Sequence, residues 1–144
     1  MLSGWAEILP DTFTIWLVNR FGDVFILDEK GTVHLLDITG GRLDRVADSR
    51  NHFAKLMDLP RNANNWLMIP LVDQSVKLGM SLAPGQCYGF KIPPLLGGAY
   101  EPRNVAPVDL VPNYAFLADI WSQTKDVQDG TPVRLIIGPH PERH

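Results

Sequence analysis

Phe13-Thr14-Ile15-Trp16-Leu17-Val18, then Val24-Phe25-Ile26-Leu27-Asp28-Glu29-Lys30-Gly31, then Val33-His34-Leu35-Leu36-Asp37-Ile38, is the stretch that decides the fold. Phe13, Ile15 and Leu17 alternate with Thr14, Trp16 and Val18, the period of a strand. Val24 to Leu27 is a short, wholly apolar strand. Asp28-Glu29-Lys30-Gly31 supplies a turn, with Gly31 suited to a left-handed position. Val33 to Ile38 returns, Gly40-Gly41 reverses the chain again, and Leu43 to Val46 continues the sheet. The turns are short, so the strands are expected to be neighbours in an antiparallel meander.

After residue 47 the period changes. Ser49 is suited to cap a helix, because its hydroxyl accepts an otherwise unpaired backbone N–H. Phe53, Leu56 and Met57 follow at helical spacing until Pro60 stops the run. A second helical stretch is expected between Asn62 and Leu78. Pro70 lacks a donor and clashes with a preceding turn, so either the helix kinks there or a new one starts with Pro70 in its first turn. Gly79 is the expected stop. Residues 81 to 104, with Pro84-Gly85, Pro93-Pro94 and Gly97-Gly98, read as an irregular loop. Val105 to Leu110 reads as a short edge strand, the place where Pro107 is tolerated.

Pro112 to Lys125 gives the clearest helical pattern. Tyr114, Leu117, Ala118 and Trp121 fall at i, i+3, i+4 and i+7, and Phe116 and Ile120 widen the stripe. Asp129-Gly130 is an expected turn, Val133 to Ile137 a last strand, and 138–144 a frayed tail. Strands followed by helices argue for segregated α+β. The expected fold is a mostly antiparallel sheet, the N-terminal meander plus the C-terminal strand, with helices packed on one face. Residues 1–144 are expected to form one domain.

The bulk numbers fit this reading. The chain has 144 residues, 45% hydrophobic and 20% charged, enough for a core without disulfides or metal. Cys87 is the only cysteine, which rules out an intramolecular disulfide and fits a reducing compartment. The N-terminus lacks the basic and apolar regions of a signal peptide, and no apolar run is long enough to span a membrane. The cytoplasm is the expected location. The net charge of −3 is uneven, with eight acids and four bases in residues 1–48. That balance disfavours binding to a phosphate backbone and favours a basic partner. The alternative is that these acids are ordinary solvated strand and turn residues.

The chemistry-bearing residues form no catalytic pattern. Among His34, His52 and His140 no pair has metal-ligand spacing, and prolines 139 and 141 argue against a helix presenting His140 with His144. No metal and no cofactor are expected. Cys87 lacks the local signature of a nucleophile and reads as a small buried hydrophobe. Gly40-Gly41 and Gly97-Gly98 are isolated pairs without a phosphate-binding lysine. Asp23, Asp28 and Asp37 read most simply as strand-end and turn residues. Trp16, Phe21 and Phe25 lie among acids, which suits core packing better than base stacking.

Three pieces carry a resemblance: Phe21-Gly22-Asp23-Val24-Phe25-Ile26-Leu27 with Val33-His34-Leu35-Leu36-Asp37; Gly85 to Gly98 with its Pro93-Pro94-Leu95-Leu96-Gly97-Gly98 loop; and the helix Tyr114 to Trp121. Over residues 5 to 137 the chain resembles the C-terminal domain family of bacterial type VI secretion immunity proteins, the sort that protect against injected DNase effectors. In that family the domain often follows an N-terminal GAD-like domain. None precedes residue 1 here, so the partner interface of the longer proteins is expected to be incomplete. The resemblance implies no catalysis, but binding and blocking of a protein toxin, a basic nuclease effector being one candidate. It gives Gly22, Asp23, Pro93, Pro94, Gly97 and Gly98 structural roles first. Asp28, Glu29 and Asp37 are the candidate partner-binding residues, because Asp28 and Glu29 stand at a hairpin tip and a substrate-grasping toxin carries basic groups. The alternative function is a small-ligand-binding or regulatory module with the 81–104 loop over a pocket.

Overall fold

The computed structural model describes residues 1–127 and residue 134. The expected turn at 129–130, the strand over 133–137 and the tail 138–144 lie outside the described residues, residue 134 aside.

Local hydrogen bonds of short polar side chains set the meander. Strands β1 (Phe13–Val18), β2 (Val24–Asp28), β3 (Val33–Asp37) and β4 (Arg42–Ala47) form one antiparallel sheet in chain order. Between β1 and β2, Asn19 Oδ1 accepts from the backbone N–H groups of Phe21 and Asp23, while Gly22 takes φ +85°. Between β2 and β3, Asp28 Oδ1 accepts from the amides of Lys30 and Thr32. Between β3 and β4, Asp37 Oδ1 accepts from the amides of Thr39 and Gly40. Each turn thus carries an Asn or Asp that satisfies the backbone donors it frees.

The fold is α+β with antiparallel sheets, as the change of period implies. Its helices, however, cover both faces of the meander rather than one. The reason lies in β2 and β3, which are apolar on both sides. Val24, Ile26 and Leu36 pack with Trp5, Tyr114, Leu117, Ala118 and Trp121. Phe25, Val33 and Leu35 point the other way and pack with Ala47 and Phe53. A strand buried on both faces reads as a continuous apolar run, and Val24-Phe25-Ile26-Leu27 is such a run. The alternation in β1 is broken by an irregularity in register between Ile15 and Leu17. Ile15, Leu17 and Val18 are exposed at this sheet edge.

On one face lie α1 (Arg50–Met57) and α2 (Pro60–Trp66). The Ser49 hydroxyl accepts from the His52 amide, capping α1 as its sequence implies. Pro60 follows the end of α1 and opens α2, where its missing N–H costs nothing. The Pro70 ambiguity resolves as a new helix, α3 (Ile69–Lys77), with Pro70 in its first turn. The break is made by Met68, whose φ of +51° is the only positive value on a non-glycine among the described residues.

Residues 81–104 are less irregular than expected. β5 (Gln86–Phe90) pairs antiparallel with β6 (Val105–Asp109) as a two-stranded sheet. Pro-Gly on one side and Gly89 within conceal β5 in the sequence. Gly89 is required there, because a side chain would run into Val108 on the facing strand. Pro107 sits opposite Tyr88, on the strand read as an edge. The last described helix, α4 (Leu110–Thr124), buries Tyr114, Leu117, Ala118, Ile120 and Trp121. Phe116 is 40% exposed and does not widen the stripe. Trp121 packs against Trp5 in a tilted pair, with ring centroids 5.5 Å apart.

Candidate functional site

Asn19 and Asp23 begin the site because they fasten the meander to the helices. Asp23 is 4% exposed. Its Oδ2 accepts from Asn19 Nδ2 at 2.9 Å, and its Oδ1 accepts from the Ile38 amide at 3.0 Å. The other Asn19 amide hydrogen goes to the Trp66 carbonyl oxygen at the end of α2, 2.9 Å away. Burial of Asp23, reinforced by the charge of Asp37, pushes its carboxyl up from 3.8 to about 7.

A cavity of about 400 Å³ opens beside this junction. Its acidic side comes from the meander: Asp23, Asp37 and Asp44, with Arg42 among them. Arg42 Nε lies 2.9 Å from Asp44 Oδ2 and 3.8 Å from Asp37 Oδ2. The rest of the lining includes Asn65, Trp66 and Met68 from the break between α2 and α3, and Tyr100 of the 81–104 segment. Burial, then Asp37 and Asp23, raises the Tyr100 hydroxyl above its ordinary value. A second hollow of about 360 Å³ shares Asn65, Met68 and Tyr100 and continues along α3 past Pro70 and Gln74.

The three candidate partner-binding residues do not come together. Asp28 and Glu29 stand at the β2–β3 turn, and Asp37 stands at the far end of β3. Asp28 is occupied: besides its two backbone donors, its Oδ2 lies 3.0 Å from His34 Nε2, and this contact chiefly holds its carboxyl below the usual range. Glu29 is exposed. Asp37 lines the cavity, while its Oδ1 closes the β3–β4 turn.

The motif residues build backbone. Gly22 takes its positive φ where a side chain would press on Ile38, Leu110 and Cys87. Pro93 and Pro94 lead into a single 3-10 turn over Pro94–Leu96 that ends on Gly97, φ +90°. At Gly98 a Cβ would run into the Ile92 carbonyl oxygen. Asn104 holds this loop, accepting from the Ile92 amide and donating to the carbonyl oxygens of Ile92 and Ala99. Asn19, Asn104, Trp66 and Tyr100 were not singled out from the sequence as site residues. Lone asparagines and aromatics carry no spacing signal, so only the fold reveals their partners.

Cys87 is buried, with its Sγ 3.9 Å from Asn113 Nδ2, and burial pushes its thiol up to about 11. Such a thiol is protonated at neutral pH, the opposite of what a nucleophile needs. Among the described residues no group of three or more His, Cys, Asp or Glu is placed to hold a metal ion. No described helix is long and apolar enough to cross a membrane.

No curated protein and no solved structure matches the chain. A family profile described as T6SS immunity protein Tdi1, C-terminal, matches residues 47–121. The matched stretch runs from the end of β4 through Trp121 and holds Asn65, Trp66, Met68 and Tyr100 of the cavity; Asp23, Asp37, Arg42 and Asp44 lie before it. With just over half of its residues matched, the chain belongs to the family of type VI secretion system immunity proteins represented by the Tdi1 C-terminal domain.

Proposed function

We propose that this protein protects its cell by binding a type VI toxin in a one-to-one complex that blocks the toxin, without chemistry of its own. The observation that carries the reading, beside family membership, is the cavity. It joins a surplus of carboxylates to exposed aromatic surface, a combination suited to capturing a basic protein group. The unreactive state of the Cys87 thiol agrees with a non-catalytic role. A free thiol also suits the cytoplasm, where we place the protein. Residues 1–144 act in this reading as one binding domain, and Asp37 and Glu29 are its partner-facing acids.

The test is to purify the protein with a candidate type VI toxin from the same cell, sought first in any gene adjacent to its own. The expected result is a 1:1 complex, measured by calorimetry, and loss of toxin activity at equimolar ratio. Absence of a complex at micromolar concentrations, with toxin activity untouched, overturns the proposal. A second reading, a small-ligand module, is favoured by one observation: Tyr100 of the 81–104 segment does line a cavity. A cell metabolite retained on the purified protein, with no toxin complex, would favour it.

A further inference from the structure

The cavity between the meander and the α2–α3 break has a chemistry more specific than negative charge. Asp37 and Asp44 oppose one cation, Arg42, so the lining retains net negative charge even when Asp23 holds a proton. The same lining includes Trp66, which stacks on Phe53 with ring centroids 5.4 Å apart, together with Tyr100 and Met68. An anion is repelled by this lining. A neutral apolar ligand gains from the rings but must desolvate the carboxylates without a partner. A bare metal ion gains nothing from the rings, and no metal-holding group occurs among the described residues. An organic cation uses both kinds of lining group, because an aromatic face attracts positive charge and a carboxylate accepts its N–H groups. Between ammonium and guanidinium, the planar guanidinium fits better. It stacks on a ring while presenting a fork of donors to a carboxylate.

We infer that this cavity is a receptor for one arginine side chain, carried by the toxin. The identity of the carrier rests on the immunity reading; the chemistry of the receptor does not. The adjoining hollow past Pro70 and Gln74 gives room for the chain that flanks the arginine.

The probe is N-acetyl-L-arginine methylamide, titrated into the full chain and followed by the NMR signals of the Trp66 indole N–H and the Tyr100 amide. Its neutral isostere, N-acetyl-L-citrulline methylamide, is the control. Saturable shifts at both signals are expected, with the citrulline compound at least about 10-fold weaker. Asp37→Asn removes a charge but keeps the oxygen that closes the β3–β4 turn, and should weaken the probe by about 10-fold. Arg42→Gln removes the opposing cation, whose side chain is 67% exposed, and should tighten it. The same spectra report whether each variant is folded. No saturable shift at Trp66 and Tyr100, or equal binding of the citrulline compound, overturns the receptor.

Affinity for the candidate type VI toxin of the same cell identifies the source. A loss of about 30-fold or more in Asp37→Asn and in Tyr100→Ala supports a toxin-borne arginine. Unchanged toxin affinity in variants that no longer bind the probe overturns that source, leaving a free guanidinium compound as occupant. Probe binding without any toxin complex in the wild type overturns the immunity reading and leaves the receptor standing.

Discussion

Asp23 combines the strongest burial of any acid among the described residues with hydrogen bonds that do not fully offset it. Its carboxyl titrates at about 7 in the folded chain, against an ordinary value of 3.8. Between those values the folded chain holds a proton that the unfolded chain has released. Its contribution is therefore greatest at the acid end, falls as pH rises, and levels off above about 7. Asp28 has the opposite sign and a different window: its lowered carboxyl contributes stability at and above the ordinary carboxylate range, and that contribution is lost as pH falls below it. Urea unfolding from pH 4.5 to 8 should show wild-type stability declining. In Asp23→Asn the decline should disappear. That variant should also be less stable at low pH by about 1–3 kcal/mol, because its amide nitrogen must face a donor, either Asn19 Nδ2 or the Ile38 amide. Parallel pH profiles for the two proteins would assign the slope to other groups. None of this was legible in the sequence. Asp23 reads as a turn residue, and it is one, since its own amide donates to Asn19. Its partner Asn19 is held by the Trp66 carbonyl oxygen, a contact across 47 residues that leaves no spacing signal.

Elements were legible where their apolar spacing matched the core contacts they make. The α4 spacing of Tyr114, Leu117, Ala118 and Trp121 survives in the fold because these side chains enter the core with Val24, Ile26 and Leu36, although Asp119 and Ile120 between them are buried as well. Trp121 packs against Trp5 and lies where a side chain at Gly41 would stand. Trp121→Ala should therefore destabilise the domain by about 3–5 kcal/mol, the usual cost of removing a core aromatic. A loss well under 1 kcal/mol would mean the surrounding residues collapse to fill the site. The strands β2 and β3 were recognised as strands, but burial on both faces hides which side the helices take. β5 was missed because Gly89 and the flanking Pro-Gly read as loop, whereas it is a facing Val108 that demands the glycine. The Pro93–Gly98 loop gives a sharper test of such demands. Gly97 needs its positive φ but has open space around its Cβ position, so Gly97→Ala should cost about 1–2 kcal/mol. Gly98 has no left-handed φ but lies against the Ile92 carbonyl, so Gly98→Ala must move backbone and should cost more. Urea midpoints in the reverse order would show that Ile92 yields and that Gly97 sets the loop.

At the scale of the molecule, charge and topology act together. Eight acids against four bases lie in residues 1–48, all within or before the meander and its exit. The family profile begins at residue 47, so seven of these eight acids precede the matched stretch and Asp48 lies within it. The cavity was illegible because four separate segments assemble it, bringing Asp23, Asp37, Trp66 and Tyr100 to one place without any shared spacing. The acidic hairpin tip was legible, but its two acids differ in what they are free to do. Asp28 holds the turn through three contacts, so reversing its charge would disturb the hairpin before it altered recognition. Glu29 is exposed at the same tip and can be changed at little cost to folding. If long-range attraction guides a basic toxin toward the meander, Glu29→Lys should slow association by about 2- to 10-fold at low ionic strength and flatten its dependence on salt, since exposed charges act mainly on the encounter. Dissociation, governed by contacts within the interface, should change much less. Stopped-flow mixing with the toxin at two ionic strengths measures both rates. Equal association rates for Glu29→Lys and wild type at the lower salt concentration would place the steering charges elsewhere, with Asp37 and Asp44 at the cavity mouth next to be reversed.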